Sequence, residues 1–193
     1  MSNPFFEIKD LEQNTATADS SSAVADKFIT YHESRINSIK NICHIPKPGE
    51  IFFLWTDRSF NAFTFIPYVI RQCKSIDLLI ISTYSINQRI IDSLMRYFRK
   101  GLIREISILV SDSLRFRMPK VVDIMESLAL SNPTVKIHYG WNHSKISLMK
   151  CGDDHLVVEG SGNWSENSRH EQYIFLNNKK IFDFRKECIY AVN

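Results

Sequence analysis

A histidine and a lysine two positions apart, followed by a glycine-rich polar segment, are the residues of this chain best suited to chemistry on a phosphate. His143 and Lys145 come first, and the segment 160–163 (GSGN) follows a short apolar stretch. Imidazole can act as a nucleophile or as an acid and base near neutral pH. A lysine ammonium provides fixed positive charge for phosphoryl oxygens. The glycines let backbone N–H groups, the Ser161 hydroxyl and the Asn163 amide approach an anion closely, so the pattern predicts a phosphate-binding site.

The local sequence predicts a β-hairpin that holds these groups at one end. The first strand is expected over residues 143–150, and residues 151–154 (CGDD) have the composition of a tight turn. The second strand, 155–159, contains a Leu-Val-Val run that suits a buried strand. Because side chains alternate along a strand, His143 and Lys145 are expected to point to the same face.

The order His-x-Lys and then Gly-Ser-x-Asn resembles the signature of the phospholipase D superfamily, over about thirty residues. The matching residues are His143, Lys145, Gly160, Ser161 and Asn163. Lys150 stands where the family has an aspartate, and the gap before the glycine is a few residues longer than usual. Strand alternation turns Lys150 away from His143. We therefore expect this departure to change the support of the hairpin, with Asp153 or Asp154 as substitutes, and not the phosphate contacts.

The resemblance implies a two-step mechanism through a phosphohistidine. No cluster of carboxylates and histidines with metal-ligand spacing lies near the motif in the sequence, so we expect the chemistry to need no metal and no other cofactor. This mechanism needs two histidines around one phosphate. Superfamily members with one motif per chain pair as homodimers, so His143 from two subunits is expected at one shared site. Glu171 resembles the downstream carboxylate that orients the nucleophilic imidazole, with Glu159 and Glu166 as alternatives. The implied catalytic residues are His143, Lys145, Asn163 and Glu171, and the implied phosphate-binding residues are Lys145, Ser161, Gly162 and Asn163.

The charge distribution and the aromatic residues near the motif favour a nucleic-acid partner. The net charge is +3, and residues 1–27 hold five acidic and two basic side chains, so the remaining chain is more basic. Trp141 and Trp164 flank the motif and are either core or dimer-contact aromatics or a stacking platform for bases. Arg115 and Arg117 are either solvated surface residues or contacts to a nucleic-acid backbone. The other histidines of this half, His138, His155 and His170, are assigned no role.

The composition is typical of a globular protein with one substantial core: 44% of the 193 residues are hydrophobic and 23% are charged. Four widely spaced cysteines without a CxxC pair favour reduced thiols and a cytoplasmic location. The chain contains no apolar run of ~18 residues and no pattern of a secretory signal. We therefore expect no stable membrane association.

Apolar periodicity predicts alternating strands and helices. The capping-box spacing of Ser85 to Gln88 suggests one helix start, and Gly101 suggests its end. The predicted strands are 51–55, 78–82, 106–110, 135–139 and 172–176, and the predicted helices are 27–42, 60–73, 86–99, 119–130 and 180–190. This order implies an α/β fold with a mixed, largely parallel sheet covered by helices on both faces, in a single-motif, phospholipase D-like protomer.

Two further expectations concern the domain organisation and the function. A flexible tail, residues 1–27, is expected to precede one α/β domain, residues 28–193, with the site at the strand tips. The predicted function is a metal-independent phosphodiesterase that cleaves DNA or RNA. The alternatives are a non-catalytic nucleic-acid-binding module on the same fold and, less favoured, a phospholipid-processing enzyme. The latter needs an apolar interfacial surface, for which Phe5 and Phe6 are the only candidates.

Overall fold

A computed structural model describes residues 30–58, 60–165 and 169–192, and strands within these ranges form one sheet. The strands are β1 (Thr30–Ile36), β2 (Glu50–Thr56), β3 (Ile76–Thr83), β4 (Ile103–Ser111), β5 (Val135–Gly140), β6 (Ile146–Cys151), β7 (Asp154–Gly160) and β8 (Gln172–Asn177). Their spatial order is β1-β2-β8-β7-β6-β3-β4-β5. The predicted tail, residues 1–27, lies outside the described residues.

The sheet is mixed, as predicted from the sequence. The β1–β2, β3–β4 and β4–β5 pairs are parallel. The other four neighbouring pairs in the described sheet are antiparallel. In direction the sheet is nevertheless largely parallel, because only β6 and β8 run opposite to the other described strands. The carboxyl ends of β2, β3, β4, β5 and β7 therefore share one edge with the amino ends of β6 and β8.

Helices cover both faces of the sheet, which confirms the predicted layering. The helices are α1 (Phe65–Cys73), α2 (Gln88–Arg99), α3 (Leu114–Arg117), α4 (Pro119–Ser131) and α5 (Lys179–Tyr190). Helices α1, α2 and α4 pack against the larger core, to which β3 contributes Leu79 and Ile81. Helix α5 packs on the opposite face, where Phe182 contacts a second cluster that includes Leu148 and Val157. The apolar runs that predicted the central strands are thus buried on both faces.

The helix predicted over residues 27–42 is wrong where the structure describes it. Residues Thr30–Ile36 form β1, an edge strand parallel to β2, and a short 3₁₀ helix follows at Ile39–Asn41. The side chains of β1 are mostly exposed, with Ile36 as its buried exception. An exposed edge strand lacks the strict alternation that identifies a strand in a sequence. Pairing with β2 decides the conformation here, over the helical spacing of the apolar residues.

Two local expectations are corrected and one is confirmed. Helix α2 is capped by Asn87, whose side-chain oxygen accepts from the Ile90 N–H at 3.0 Å, and not by Ser85. Gly101 follows α2 with a φ of 69°, as expected for a residue that ends a helix. Cys151, predicted to lie in the hairpin turn, is instead buried at the end of β6, and all four cysteines are free. No helix in the described ranges is long and apolar enough to cross a bilayer.

Candidate active site

The residues of the motif lie together at the edge where most strands have their carboxyl ends. Strand β6 begins at Ile146, so His143 and Lys145 lie in the segment that leads from β5 into β6, and not within the hairpin strand as expected. Segment 160–163 begins with the last residue of β7, and Glu171 immediately precedes β8. Because β6 runs antiparallel to both β3 and β7, its start meets the ends of both neighbours.

The histidine and the lysine of the motif contact each other directly. Lys145 Nζ lies 3.1 Å from His143 Nδ1 and donates to the His143 carbonyl oxygen at 2.5 Å. The His143 side chain is exposed, whereas Lys145 is partly buried. This burial lowers the pKa of Lys145, while the negative charge of Glu171 acts in the opposite direction. The geometry places an ammonium group beside an accessible imidazole, which suits the binding of an anion.

A tyrosine missed by the sequence reasoning lies among three basic side chains. The Tyr84 ring is 4.9 Å from the His143 ring, centroid to centroid. Lys145 Nζ lies 5.8 Å from the centre of the same ring, and the guanidinium of Arg117 lies over it at 4.3 Å. Arg117 also donates to the Tyr84 carbonyl oxygen at 3.2 Å. Tyr84 directly follows the buried strand β3, and this position at a strand tip was the available sequence signal.

A buried asparagine holds the segment that carries the histidine. Asn142 accepts hydrogen bonds from the Ser144 N–H at 3.0 Å and the Ser144 hydroxyl at 2.7 Å. Its amide nitrogen lies 3.3 Å from the carbonyl oxygen of Thr83 and 3.5 Å from that of Leu109. Asn142 therefore ties the segment to the ends of β3 and β4. His143 lies between these two anchored residues, so its backbone position is fixed from both sides.

The glycine-rich segment positions a carboxylate. The Ser161 hydroxyl donates to Glu171, accepts from the Gln172 N–H at 3.1 Å, and the Ser161 N–H donates to the Gln172 carbonyl oxygen at 3.0 Å. Both hydrogen-bonding protons of Ser161 are thus used within the protein. Gly162 is buried and Asn163 is partly buried beside it. The geometry gives Ser161 a supporting role for Glu171, and its predicted contact with phosphate stays a prediction.

Among the candidate carboxylates that the structure describes, Glu171 is the one whose negative charge acts on Lys145, where it partly opposes the fall in pKa that burial causes. Its backbone exchanges hydrogen bonds with Thr56 at the end of β2. The alternative Glu159 is paired with Arg185 at 2.6 and 3.0 Å, and Glu166 lies outside the described residues. In this structure Glu171 contacts Ser161, and the Nδ1 atom of His143 is next to Lys145 and not to Glu171.

The two tryptophans have different environments. Trp164 is fully buried, its indole N–H donates to the Ser147 hydroxyl at 3.1 Å, and its backbone N–H donates to the Thr83 hydroxyl at 3.2 Å. A ring without exposed surface cannot stack on a base, so the structure gives Trp164 the core role, and the prediction that it contacts nucleic acid is wrong. Trp141 is 96% exposed and remains available for such stacking.

The basic residues of α3 are exposed near this edge, together with an aromatic residue that the sequence reasoning did not select. Arg115 lies over the Tyr139 ring at 4.0 Å and 3.8 Å from Glu126, whereas Arg117 lies over Tyr84 as described above. Phe116, between the two arginines, is 88% exposed. Of these two arginines, Arg117 is therefore the one that contacts Tyr84, whose ring lies next to that of His143.

Other acidic residues support the hairpin despite the lysine at position 150. Asp77 accepts from the Gly152 N–H in the hairpin turn at 2.8 Å. Asp154 accepts from the Asn177 side chain at 2.7 Å, which links β7 to β8. Lys150 is exposed and lies on the strand face opposite to Met149, which belongs to the larger core. The hairpin is thus supported without an aspartate at position 150.

Comparison with known proteins identifies the fold. No family model matches the sequence, and no curated protein matches it. Among solved structures, a polyphosphate kinase from Porphyromonas gingivalis is similar with a TM-score of 0.50 and 16% identity, over 74% of this chain and 26% of that chain. A phosphatidylserine synthase from Haemophilus influenzae Rd KW20 gives a TM-score of 0.48 and 10% identity, over 72% of this chain and 37% of that chain. The chain spans well under half of either protein, and its fold is phospholipase D-like.

Proposed function

We propose that this chain is a metal-independent phosphodiesterase that cleaves DNA or RNA at a site shared by two copies of the chain. The observation that carries the proposal is the contact between His143 and Lys145 at the edge of the sheet where β7 ends and segment 160–163 begins. An imidazole can form a covalent bond to phosphorus, and an adjacent ammonium can neutralise the phosphoryl oxygens. The phospholipase D-like fold is consistent with this chemistry, but the residues carry the proposal.

In the first step, Nε2 of His143 attacks phosphorus. A P–N bond forms, the P–O bond to the leaving group breaks, and the leaving oxygen takes a proton from the imidazolium of His143 in the second copy. That neutral imidazole then takes a proton from water, whose oxygen displaces the phosphohistidine nitrogen. The products are an alcohol and a phosphomonoester, and both histidines return to their starting forms. Lys145 from each copy faces the phosphoryl oxygens throughout.

The contact between Lys145 and His143 implies a rearrangement when substrate binds. When Nδ1 accepts from an ammonium, a neutral imidazole carries its proton on Nε2, which is then not nucleophilic. Attack therefore requires the proton to be on Nδ1 and the ammonium to leave the ring. A phosphate that binds Lys145 would draw the ammonium away, and Glu171, whose charge acts on Lys145 in this structure, is the carboxylate that would then accept from Nδ1.

A nucleic-acid substrate is supported by exposed aromatic and basic side chains at the same edge. Trp141 and Phe116 are 96% and 88% exposed, and Arg115 and Arg117 flank Phe116 in α3. Aromatic rings that stack on bases, next to cations that follow the backbone, are typical of proteins that bind single strands. We therefore expect a preference for single-stranded or locally unpaired substrates.

A non-catalytic nucleic-acid-binding module remains the second candidate, and one observation favours it. Glu171 contacts Ser161 and not His143, so this conformation lacks the carboxylate–imidazole contact that would prepare the nucleophile. A module that only binds phosphate would need Lys145 and segment 160–163, but it would not need a contact between Glu171 and His143.

Cleavage of plasmid DNA and of single-stranded oligonucleotides in excess EDTA separates the two candidates. We expect wild type to cleave and His143→Asn, which keeps the size of the side chain, to lose at least ~10³-fold in rate. His155→Gln, a change at a histidine on the opposite end of β7, should cleave like wild type. Equal rates for wild type and His143→Asn would contradict the catalytic proposal, and retained gel shifts without cleavage by either protein would favour the binding module.

The shared site is tested separately by the oligomeric state. Light scattering at micromolar concentration should give the mass of a homodimer, because one chain supplies only one His-x-Lys motif. If the wild-type protein is a monomer and still cleaves nucleic acid, the two-histidine mechanism is refuted, but the proposed nuclease activity is not.

A further inference from the structure

We propose that His32, His44 and Glu50 form a binding site for a divalent transition-metal ion, with zinc as the preferred ion. His32 lies in β1, His44 in the connection to β2, and Glu50 is the first residue of β2. One potential ligand atom from each residue lies within 4.8 Å of the others. Two imidazoles and one carboxylate are a ligand set that suits zinc, with a fourth position for water. The site is independent of the proposed nuclease, because it lies toward the amino end of β2 and the motif lies at the opposite edge.

The distances between the ligand atoms fit a tetrahedral ion. His44 Nε2 lies 3.0 Å from one carboxylate oxygen of Glu50, and His32 Nε2 lies 3.9 Å from the other. With metal–ligand bonds of about 2.0–2.2 Å, neighbouring ligand atoms of a tetrahedral zinc site are separated by roughly 3.3–3.6 Å. The two observed distances involve different oxygens of Glu50 and lie just below and just above this range, so side-chain rotations would be needed to bring one oxygen and both Nε2 atoms around an ion.

The strongest indication of a ligand is a buried nitrogen without a partner. The Nε2 atom of His32 is shielded from solvent and has no hydrogen-bond partner among the described residues. Its ring is stacked on Phe52 with a centroid distance of 4.3 Å and an interplanar angle of 16°, which fixes the direction of this nitrogen. A buried polar nitrogen that loses its water contacts is costly unless something replaces them. A cation held with His44 and Glu50 would replace them.

The carboxylate is prepared for a cation by its backbone neighbour. The Lys47 N–H donates to Glu50 Oε2 at 2.9 Å, which holds this carboxylate oxygen in place. Metal binding requires deprotonated ligands, and an outer hydrogen bond that orients a ligand strengthens the site. Glu50 is thus oriented by the backbone before an ion arrives.

Binding of an ion would fasten the edge of the sheet. Strand β1 is an edge strand with mostly exposed side chains, and the connection to β2 contains little regular structure beyond its 3₁₀ turn. An ion bound by His32, His44 and Glu50 would link this strand, this connection and β2. Its expected effect is on stability, because none of its ligands lies near the His-x-Lys motif.

Zinc and cobalt titrations of chelator-treated full-length protein test the site. We expect one zinc ion per chain by calorimetry, visible absorption bands of tetrahedral cobalt with Co²⁺, and a melting temperature raised by roughly 5 °C at saturating zinc. His44→Gln and Glu50→Gln should each weaken zinc binding by at least ~10-fold. His155→Gln and His143→Asn, which change histidines outside the cluster, should bind zinc like wild type.

The comparison of these variants also identifies the results that would overturn the proposal. Absence of zinc binding by folded wild type, or wild-type affinity in a His44→Gln/Glu50→Gln double variant, would refute the site. Circular dichroism in chelator shows whether each variant is folded. Both substituted side chains are partly exposed, at 42% for His44 and 17% for Glu50, so folding is expected to be retained. If either His44→Gln or Glu50→Gln does not fold, the zinc affinity of the other variant tests the site.

Discussion

Replacement of Asn142 by alanine tests how the chain holds its histidine in place. Asn142 is 8% exposed and accepts two hydrogen bonds from Ser144, at 2.7 and 3.0 Å. Its contacts to the carbonyl oxygens of Thr83 and Leu109, at 3.3 and 3.5 Å, are at the long end of the range and count for less. With a net value of about 1 kcal/mol for each good bond and a smaller sum for the other two, we expect Asn142→Ala to lower the free energy of unfolding by about 2–3 kcal/mol.

Urea denaturation followed by circular dichroism measures this loss, which corresponds to a fall in melting temperature of roughly 5–10 °C. Asn132→Ala is the matched control, because Asn132 donates one hydrogen bond of 2.8 Å to Leu128 at the end of α4, away from the motif. The control should lose about 1 kcal/mol or less. If Asn142→Ala costs no more than Asn132→Ala, then Asn142 does not hold the segment, and the reasoning about its hydrogen bonds is refuted.

Three further predictions concern the segments around the site. Gly160→Ala should cost about 3 kcal/mol, because an added Cβ would lie 2.2 Å from the Gln172 carbonyl oxygen and force β7 away from β8; an unchanged urea midpoint would contradict this. Trp164→Phe should cost about 1–2 kcal/mol, since it leaves the buried Ser147 hydroxyl without its donor, and calorimetry would detect the change. Burial lowers the pKa of Lys145, so the unfolded chain binds this proton more tightly than the folded chain. The free energy of unfolding of wild type, relative to that of Lys145→Met, should therefore rise as the pH increases from the lowered pKa towards 10.5. A difference between the two proteins that does not change with pH would contradict this prediction.

The central part of the fold could be predicted from the sequence because its signals are strong and local. The apolar run at residues 78–82 became β3, and the periodicity of residues 86–99 became α2 with two residues fewer at its start. The edge strand β1 was missed because the apolar residues Tyr31, Ile36 and Ile39 also fit a helical spacing. This segment is a strand because it pairs with β2, and pairing between two segments cannot be predicted from the local spacing of apolar residues.

The site was predictable as a motif but not as a set of contacts. Spacing identified His143 and Lys145, and the structure brings them together. The contacts of Tyr84 and Asn142 could not be inferred, because they join segments that are distant in the sequence and meet only after folding. For the same reason, the sequence could not distinguish a core role from a base-stacking role for Trp164, and its complete burial in the structure shows the core role.

The three tryptophans give the chain its own optical reporters of the site. Trp164, the residue after the glycine-rich segment, is shielded from water, whereas Trp141 is 96% exposed and Trp55 is 46% exposed. Iodide should therefore quench the emission of Trp141 strongly and leave the emission of Trp164 nearly unchanged. A Trp55→Phe/Trp141→Phe variant would isolate the shielded indole, whose emission wavelength would then respond if the segment in front of it opens. Motion of this segment when a ligand binds would thus be visible without an attached dye.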